Sequence, residues 1–331
     1  MANCKQMLMG GGKPQTTKVR DERIDSIKYL LMVLVVAGHV FMRKEFSDST
    51  ACVVTWKWIY IFHMPLFIFI SGYFSRKKEL KDLWSSIWKL LEPLIIFQVI
   101  GLLFYVDFLS VYKILKPWYV LWYLLSLIYW RLILQIIPDK ILIHTKLIIF
   151  TTFCISILAG FLPFGKVLSI QRTLSFMPFF FLGYCMRGKD IYLPKKYKSL
   201  CFLFLTMMVV VTFFFYQYLG KLTHADPYGS IYGAAKRLII FGLAIPMSIA
   251  FINVCPNKPW IARQGRFTMQ YYIYHALAIM PLMILVGKLS IPMSFVFAVI
   301  YTLILILGIG IASRLPYFTK FTNPLSLLKY K

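Results

Sequence analysis

The stretch VVAGHVFM, residues 35–42, sets a histidine, His39, inside a run of membrane-grade hydrophobicity. An imidazole in hydrocarbon must satisfy two ring nitrogens, so an ionisable residue in such a place is a functional candidate by default. A neutral imidazole can act as a general base. The competing roles are a hydrogen bond between helices and a proton relay in a transporter. Helical geometry sorts its polar neighbours. At about 100° per residue, Lys28 and His39 lie within about 20° of one face and roughly 16 Å apart along the axis. Asp25 and Lys28, three residues apart, are close enough to pair. One helix therefore presents an ion pair near its start and an imidazole deeper along the same face.

Five further segments carry polar groups that could do chemistry. In FHMPLFIFISGYFSRKK, His63 precedes Pro65, Ser71-Gly72 ends the apolar run, and Arg76, Lys77 and Lys78 follow. Packing is the plainer role for Ser71 and Gly72, since no G-x-S-x-G elbow marks a nucleophile. KPWYVLWYLLSL brings Trp118, Tyr119, Trp122 and Tyr123 together as an interfacial aromatic belt or as a wall against a sugar. Arg172 opens the segment that continues SFMPFFFLGY, and Arg237 lies within a later apolar run; either could hold an oxyanion. RQGRFTMQYYIYHALAI adds Tyr274 and His275, with Gln264 and His275 close to three turns apart on one expected helix face.

The elements that must position these residues are set by composition. The chain is 60% hydrophobic and only 15% charged, with a mean hydropathy of +0.71, which marks an all-α polytopic membrane bundle. Ten apolar segments recur, at 27–42, 51–74, 84–109, 118–138, 146–164, 173–186, 198–219, 230–254, 267–287 and 292–313, most near the roughly 20 residues a bilayer requires. The organisation expected is a basic tail at 1–22, a membrane domain at 23–315 and a second tail at 316–331. No internal repeat relates the two halves. The polar connections are too short for a soluble domain.

The net charge of +25 points to topology rather than to nucleic acid. With a cytoplasmic N-terminus, the inside connections and tails carry twenty-four Lys and Arg and the outside connections eight, as the positive-inside rule requires for ten spans with both ends in the cytoplasm. Those basic loops also offer phosphate-rich ligands or anionic headgroups a positive surface. Six cysteines, scattered without CxxC pairs or histidine partners, indicate neither a disulfide framework nor a metal site. Residues 1–22 lack the apolar core of a cleavable signal peptide. Prolines at 65, 93, 178, 246 and 281 and ionisable Lys57, His63, Lys89, Glu92, Lys236 and Arg237 interrupt the spans, so a polar cavity within the bundle is expected.

Taken in order, RIDSIKYLLMVLVVAGH, FHMPLFIFISGYF, LWYLLSL, FMPFFFLGY and TMQYYIYH resemble the acyltransferase 3 family of bacterial membrane proteins, in its fucose 4-O-acetylase-like branch, from about Arg23 to Leu305. The resemblance implies an enzyme of the inner membrane that moves an acyl group, usually acetyl from acetyl-CoA, onto a hydroxyl of a sugar or surface glycoconjugate. It implies no bound cofactor and no nucleic-acid partner. The family pattern of a basic residue, ten others and an essential histidine falls on Lys28 and His39; Lys28 stands where arginine is common. On this basis His39 is the expected base. Asp25, Lys28, Ser71 and Arg76 are expected on the donor side, and His63, Trp122, Arg172, Arg237, Tyr274 and His275 are expected to stabilise the oxyanion or hold the acceptor. The alternative left by the residues is a transporter or flippase for a polysaccharide precursor or a small solute.

Overall fold

The computed structural model describes residues 21–105, 111–288 and 293–322, and among these there are helices and connections but no strand. Residues 1–20 of the expected tail at 1–22, with Cys4, and residues 323–331 of that at 316–331 lie outside the described residues. Ten helices of fifteen or more residues fall on the ten apolar segments. They are α1 (Glu22–Phe41), α2 (Thr50–Tyr73), α3 (Leu80–Tyr105), α4 (Trp122–Ile136), α5 (Thr145–Ala159), α6 (Ile170–Cys185), α7 (Lys198–Phe215), α8 (Tyr232–Val254), α9 (Thr268–Lys288) and α10 (Phe295–Ala312). Six apolar helical stretches, on α1, α2, α3, α7, α8 and α10, meet the length and composition needed to cross a membrane. Short helices at Val111–Leu115, Asp139–Leu142, Pro259–Gln264 and Pro316–Thr322 lie between or beyond them.

Burial separates centre from rim. In α1, 67% of the most apolar window is buried, and in α2 56%, against 22% in α7. The outer helices instead expose large apolar side chains such as Phe202, Phe214 and Ile239, the surface a bilayer solvates and water does not. α2 runs against α6, and α1 against α2. The α2–α6 approach depends on two glycines. A Cβ on Gly72 would sit 1.9 Å from the carbonyl oxygen of Phe180, and one on Gly183 2.0 Å from that of Phe69. Small residues permit such backbone contact between apolar helices.

The start of α1 follows from its sequence, since the Asp21 side chain accepts hydrogen bonds from the backbone N–H of Arg23 and Ile24 at 3.0 and 3.2 Å. Each of the five prolines lies inside a helix. The polar interruptions divide. Lys57, His63, Glu92 and Arg237 are buried, and the Lys57 ammonium donates to the carbonyl of Tyr216 at 2.6 Å. Lys89 and Lys236 are exposed rather than turned inward, because their long stems can carry the charge towards an interface. A 3-10 turn at Gly265–Phe267 separates Gln264 from α9, so the continuous helix face expected from Gln264 to His275 is broken.

Candidate functional site

His39 reaches the middle of the bundle from the last turn of α1. Its Nδ1–H donates to the carbonyl of Val35 at 2.8 Å. A carbonyl only accepts, so in the neutral ring this bond assigns the proton to Nδ1 and leaves the Nε2 lone pair available. His39 lines a cavity of about 90 Å³ together with Tyr60, His63, Tyr119, Trp122 and Arg172. His63 on α2 and His275 on α9 repeat the local arrangement, each donating Nδ1–H to the carbonyl four residues back at 2.8 Å. The His275 ring is fully buried, 5.1 Å from that of His39, and its Nε2 has no hydrogen-bond partner among the described residues. The expected polar cavity is therefore present, and three imidazoles from three helices surround or adjoin it.

A larger cleft, about 350 Å³, opens at the end of the bundle where α1 begins. Lys28, Ser71, Phe74, Arg131, Thr268 and Tyr272 are on its walls. Lys28 lies 3.6 Å from Asp25, the pairing expected from helical spacing, and 4.9 Å over the Phe74 ring. Ser71 and Tyr123 share a hydroxyl hydrogen bond of 2.6 Å. Tyr123 and Tyr272 meet edge to face at 5.7 Å, and the Tyr272 hydroxyl donates to the carbonyl of Val120. Tyr272 also lies 6.4 Å from His275. This pair of tyrosines thus stands at the junction between the cleft and the histidines.

At the opposite end a vestibule of about 300 Å³ is lined by Lys116, Trp118, Tyr119, Trp122, Lys166 and Arg172. Tyr119, Trp122 and Arg172 belong to its wall and to that of the His39 cavity. Arg172 is held in two ways: Nε–H donates to the carbonyl of Thr223 at 3.3 Å, and the guanidinium lies 4.9 Å over the Trp122 ring. In the loop before α4, burial and then the charges of Lys166 and Arg172 pull the Lys116 pKa below the usual lysine range.

Among the sequence candidates, His39, His63, Trp122 and Arg172 share one cavity. Lys28 and Ser71 share the cleft, with Asp25 paired behind Lys28. His275 packs against His39. Arg76 is exposed beyond α2 and is not on the wall of the cleft. Arg237 donates to the carbonyl of Ser156 at 2.7 Å and lies 4.5 Å over Tyr228. Tyr274 points its hydroxyl to the carbonyl of Phe318 at 2.6 Å. Neither lines the His39 cavity.

Sequence reasoning passed over Tyr60 and Arg131. Tyr60 lies three residues before His63 and so on the same helix face, which was the available signal. Arg131 counts as a loop cation in the topology, yet it is half-buried within α4, donating to the carbonyl of Ser86 at 3.1 Å. Its place inside an apolar segment was the signal.

Known proteins resemble this chain as follows. A family model described as an acyltransferase domain matches residues 21–314. The nodulation protein NolL of Mesorhizobium japonicum is 35% identical over 92 residues, which covers 26% of this chain and 25% of that protein. The chain thus spans about a quarter of the length of the curated relative it matches. No solved structure matches.

Proposed function

We propose, for a chain that belongs to the acyltransferase-domain family, that it is an integral membrane O-acyltransferase in which His39 is the general base. The observation that carries this reading is the bond from Nδ1–H to Val35, which leaves an unprotonated Nε2 on a ring lining a shielded cavity. Proton abstraction by a positioned imidazole contributes about 10²- to 10⁴-fold to such reactions.

The donor is a short acyl-CoA, with acetyl-CoA the first choice, and it enters by the cleft. Lys28 and Arg131 supply positive charge for its phosphates, and the apolar walls accept the pantetheine arm. The roughly 16 Å from Lys28 to His39 along α1 is a span the arm can cross. A cavity of about 90 Å³ suits a short acyl group and not a fatty chain. Tyr123 and Tyr272 must part for the thioester to reach the histidines.

The acceptor, a sugar hydroxyl of a glycoconjugate, comes from the opposite end. His39 Nε2 takes the hydroxyl proton as the oxygen attacks the thioester carbonyl. A C–O bond forms, the C–S bond breaks, and the CoA thiolate leaves with the proton returned by the imidazolium. The negative charge developing on the carbonyl oxygen is met by Arg172 and the hydroxyls of Tyr60 and Tyr119, donors in a water-poor site where they count most. His63 borders the same space, and His275 backs the His39 ring. The membrane domain, 23–315, is placed in the inner membrane as ten spans with both termini in the cytoplasm, which puts the cleft on the acyl-CoA side. The reading assigns the chain to the fucose 4-O-acetylase-like branch.

The test uses purified full-length protein in nanodiscs. Wild type consumes acetyl-CoA and acylates an added glycan, and His39→Asn binds acetyl-CoA but does not turn it over. Equal turnover by His39→Asn would overturn the base assignment. Acceptor flux across proteoliposomes without acyl transfer would favour the transporter.

A further inference from the structure

Three features converge on the vestibule at the far end of the bundle. The first is charge. Lys116, Lys166 and Arg172 line one space of about 300 Å³, and the ion pair there is a long one, Lys166 to Asp226 at 3.8 Å. Among the described residues, no carboxylate forms a salt bridge with Lys116 or Arg172. After burial, Lys166 and Arg172 lower the Lys116 pKa and Asp226 offsets part of that pull; a bound anion relieves the remaining repulsion.

The second is the wall. Trp118, Tyr119 and Trp122 present aromatic surface beside those cations, and Trp122 carries the Arg172 guanidinium over its face. Flat aromatic rings pack against the C–H faces of a sugar, while a guanidinium forks onto phosphate or carboxylate oxygens.

The third is backbone. The described residues other than glycine with left-handed φ are Tyr119 (43°), Leu168 (47°), Ser169 (60°), Leu222 (45°) and His224 (48°). Tyr119 and Ser169 line the vestibule, and Leu222 lines the adjoining His39 cavity. His224 follows Thr223, whose carbonyl holds Arg172. Such conformations persist where surrounding structure enforces them, and they gather at ligand clamps. Here three separate loops all adopt them around one opening.

We infer that the vestibule binds an acceptor sugar carrying an anionic substituent, a phosphate or a carboxylate, close to the hydroxyl that receives the acyl group. Lys116 and Lys166 hold the anion at the mouth. The aromatic residues hold the ring, and Arg172, which belongs to both walls, aligns the hydroxyl towards His39. The inference rests on the acyltransferase reading above and adds the charge of the acceptor to it.

The test measures acetyl transfer by the full-length protein in phosphatidylcholine nanodiscs, with matched sets of methyl hexosides, methyl hexuronides and hexose 1-phosphates. The expected result is a KM at least tenfold lower for the charged members of a set than for its neutral member. The double variant Lys116→Gln/Lys166→Gln should raise the KM for charged acceptors about tenfold and bring it to that of the neutral member of each set, with the KM for acetyl-CoA unchanged. Equal KM values for neutral and charged sugars, or an unaltered KM in the double variant, would overturn the inference and leave the acyltransferase standing. Competitive inhibition by phosphatidylglycerol in the nanodisc, lost in the double variant, would assign the vestibule to a lipid headgroup instead and also overturn it. If no acceptor in any set supported His39-dependent turnover, both this inference and the acyltransferase reading would fall.

Discussion

The cleft and the vestibule flank the same histidine and are built differently. The cleft is walled mainly by side chains from regular helices, α1, α2, α3, α4 and α9, with Lys28 and Arg131 as its cations. The vestibule is made largely from loops, with Tyr119 and Ser169 held at positive φ and three cations around an aromatic wall. A helix face offers a fixed, fairly featureless channel, which suits a common donor that needs reach more than discrimination. Enforced loops fix particular side chains in particular places, which suits recognition of one acceptor among many. On the proposed reading, the two ends divide supply from selection, with His39 between them.

Substitutions can break or sharpen that division, and they are expected to differ in size. His39→Asn removes the proposed base; kcat should fall by about 10²- to 10⁴-fold with either donor or acceptor saturating, measured by acetyl-CoA consumption. Arg172→Ala strikes the wall shared by cavity and vestibule. Losing one charge-stabilising donor should cost on the order of 10² in kcat, and lysine in its place should recover only part, because a point charge cannot reproduce the guanidinium fork or its stacking on Trp122.

On the proposed reading, Lys28→Ala acts on the donor end alone. Removing one half-exposed cation should raise the KM for acetyl-CoA roughly fivefold or less, consistent with about 1 kcal/mol for a solvent-screened pair, and leave the acceptor KM unchanged. A change in acceptor KM instead would blur the proposed division of labour. Smallest is Ser71→Ala, which deletes the 2.6 Å bond to Tyr123. It should lower stability by about 1 kcal/mol, seen as a modest drop in melting temperature in detergent, with the acceptor preference intact.

Much of this was legible in the chain itself. Ten apolar segments became ten helices within a few residues of their expected limits, because hydrophobic length is a local property that needs no partner. The Asp25–Lys28 pair was legible for the same reason, being three residues apart on one helix. The candidates at Arg76, Arg237 and Tyr274 show where local reasoning stops. Each is a polar residue of the right type near the right segment, yet Arg237 is engaged with Ser156 and Tyr274 with Phe318, both of which are distant in sequence. Tyr119, which the sequence leaves as interfacial belt or sugar wall, lies 5.1 Å from the His39 ring, and its own left-handed backbone in the loop before α4 is not something spacing reveals.

The sequence by itself determined the helices, their apolar faces and the presence of an imidazole that hydrocarbon could not tolerate unpartnered. Those follow from spacing along one chain and from the cost of polar groups in an apolar medium. Only the tertiary structure decided which residues meet. It brought His39, His63 and His275 together from three helices, set Arg172 over Trp122, and arranged three loops around one cationic opening. The physical reason is that such contacts depend on helix rotation and crossing, as where Gly72 and Gly183 let α2 and α6 touch. No periodicity within a single segment contains that information.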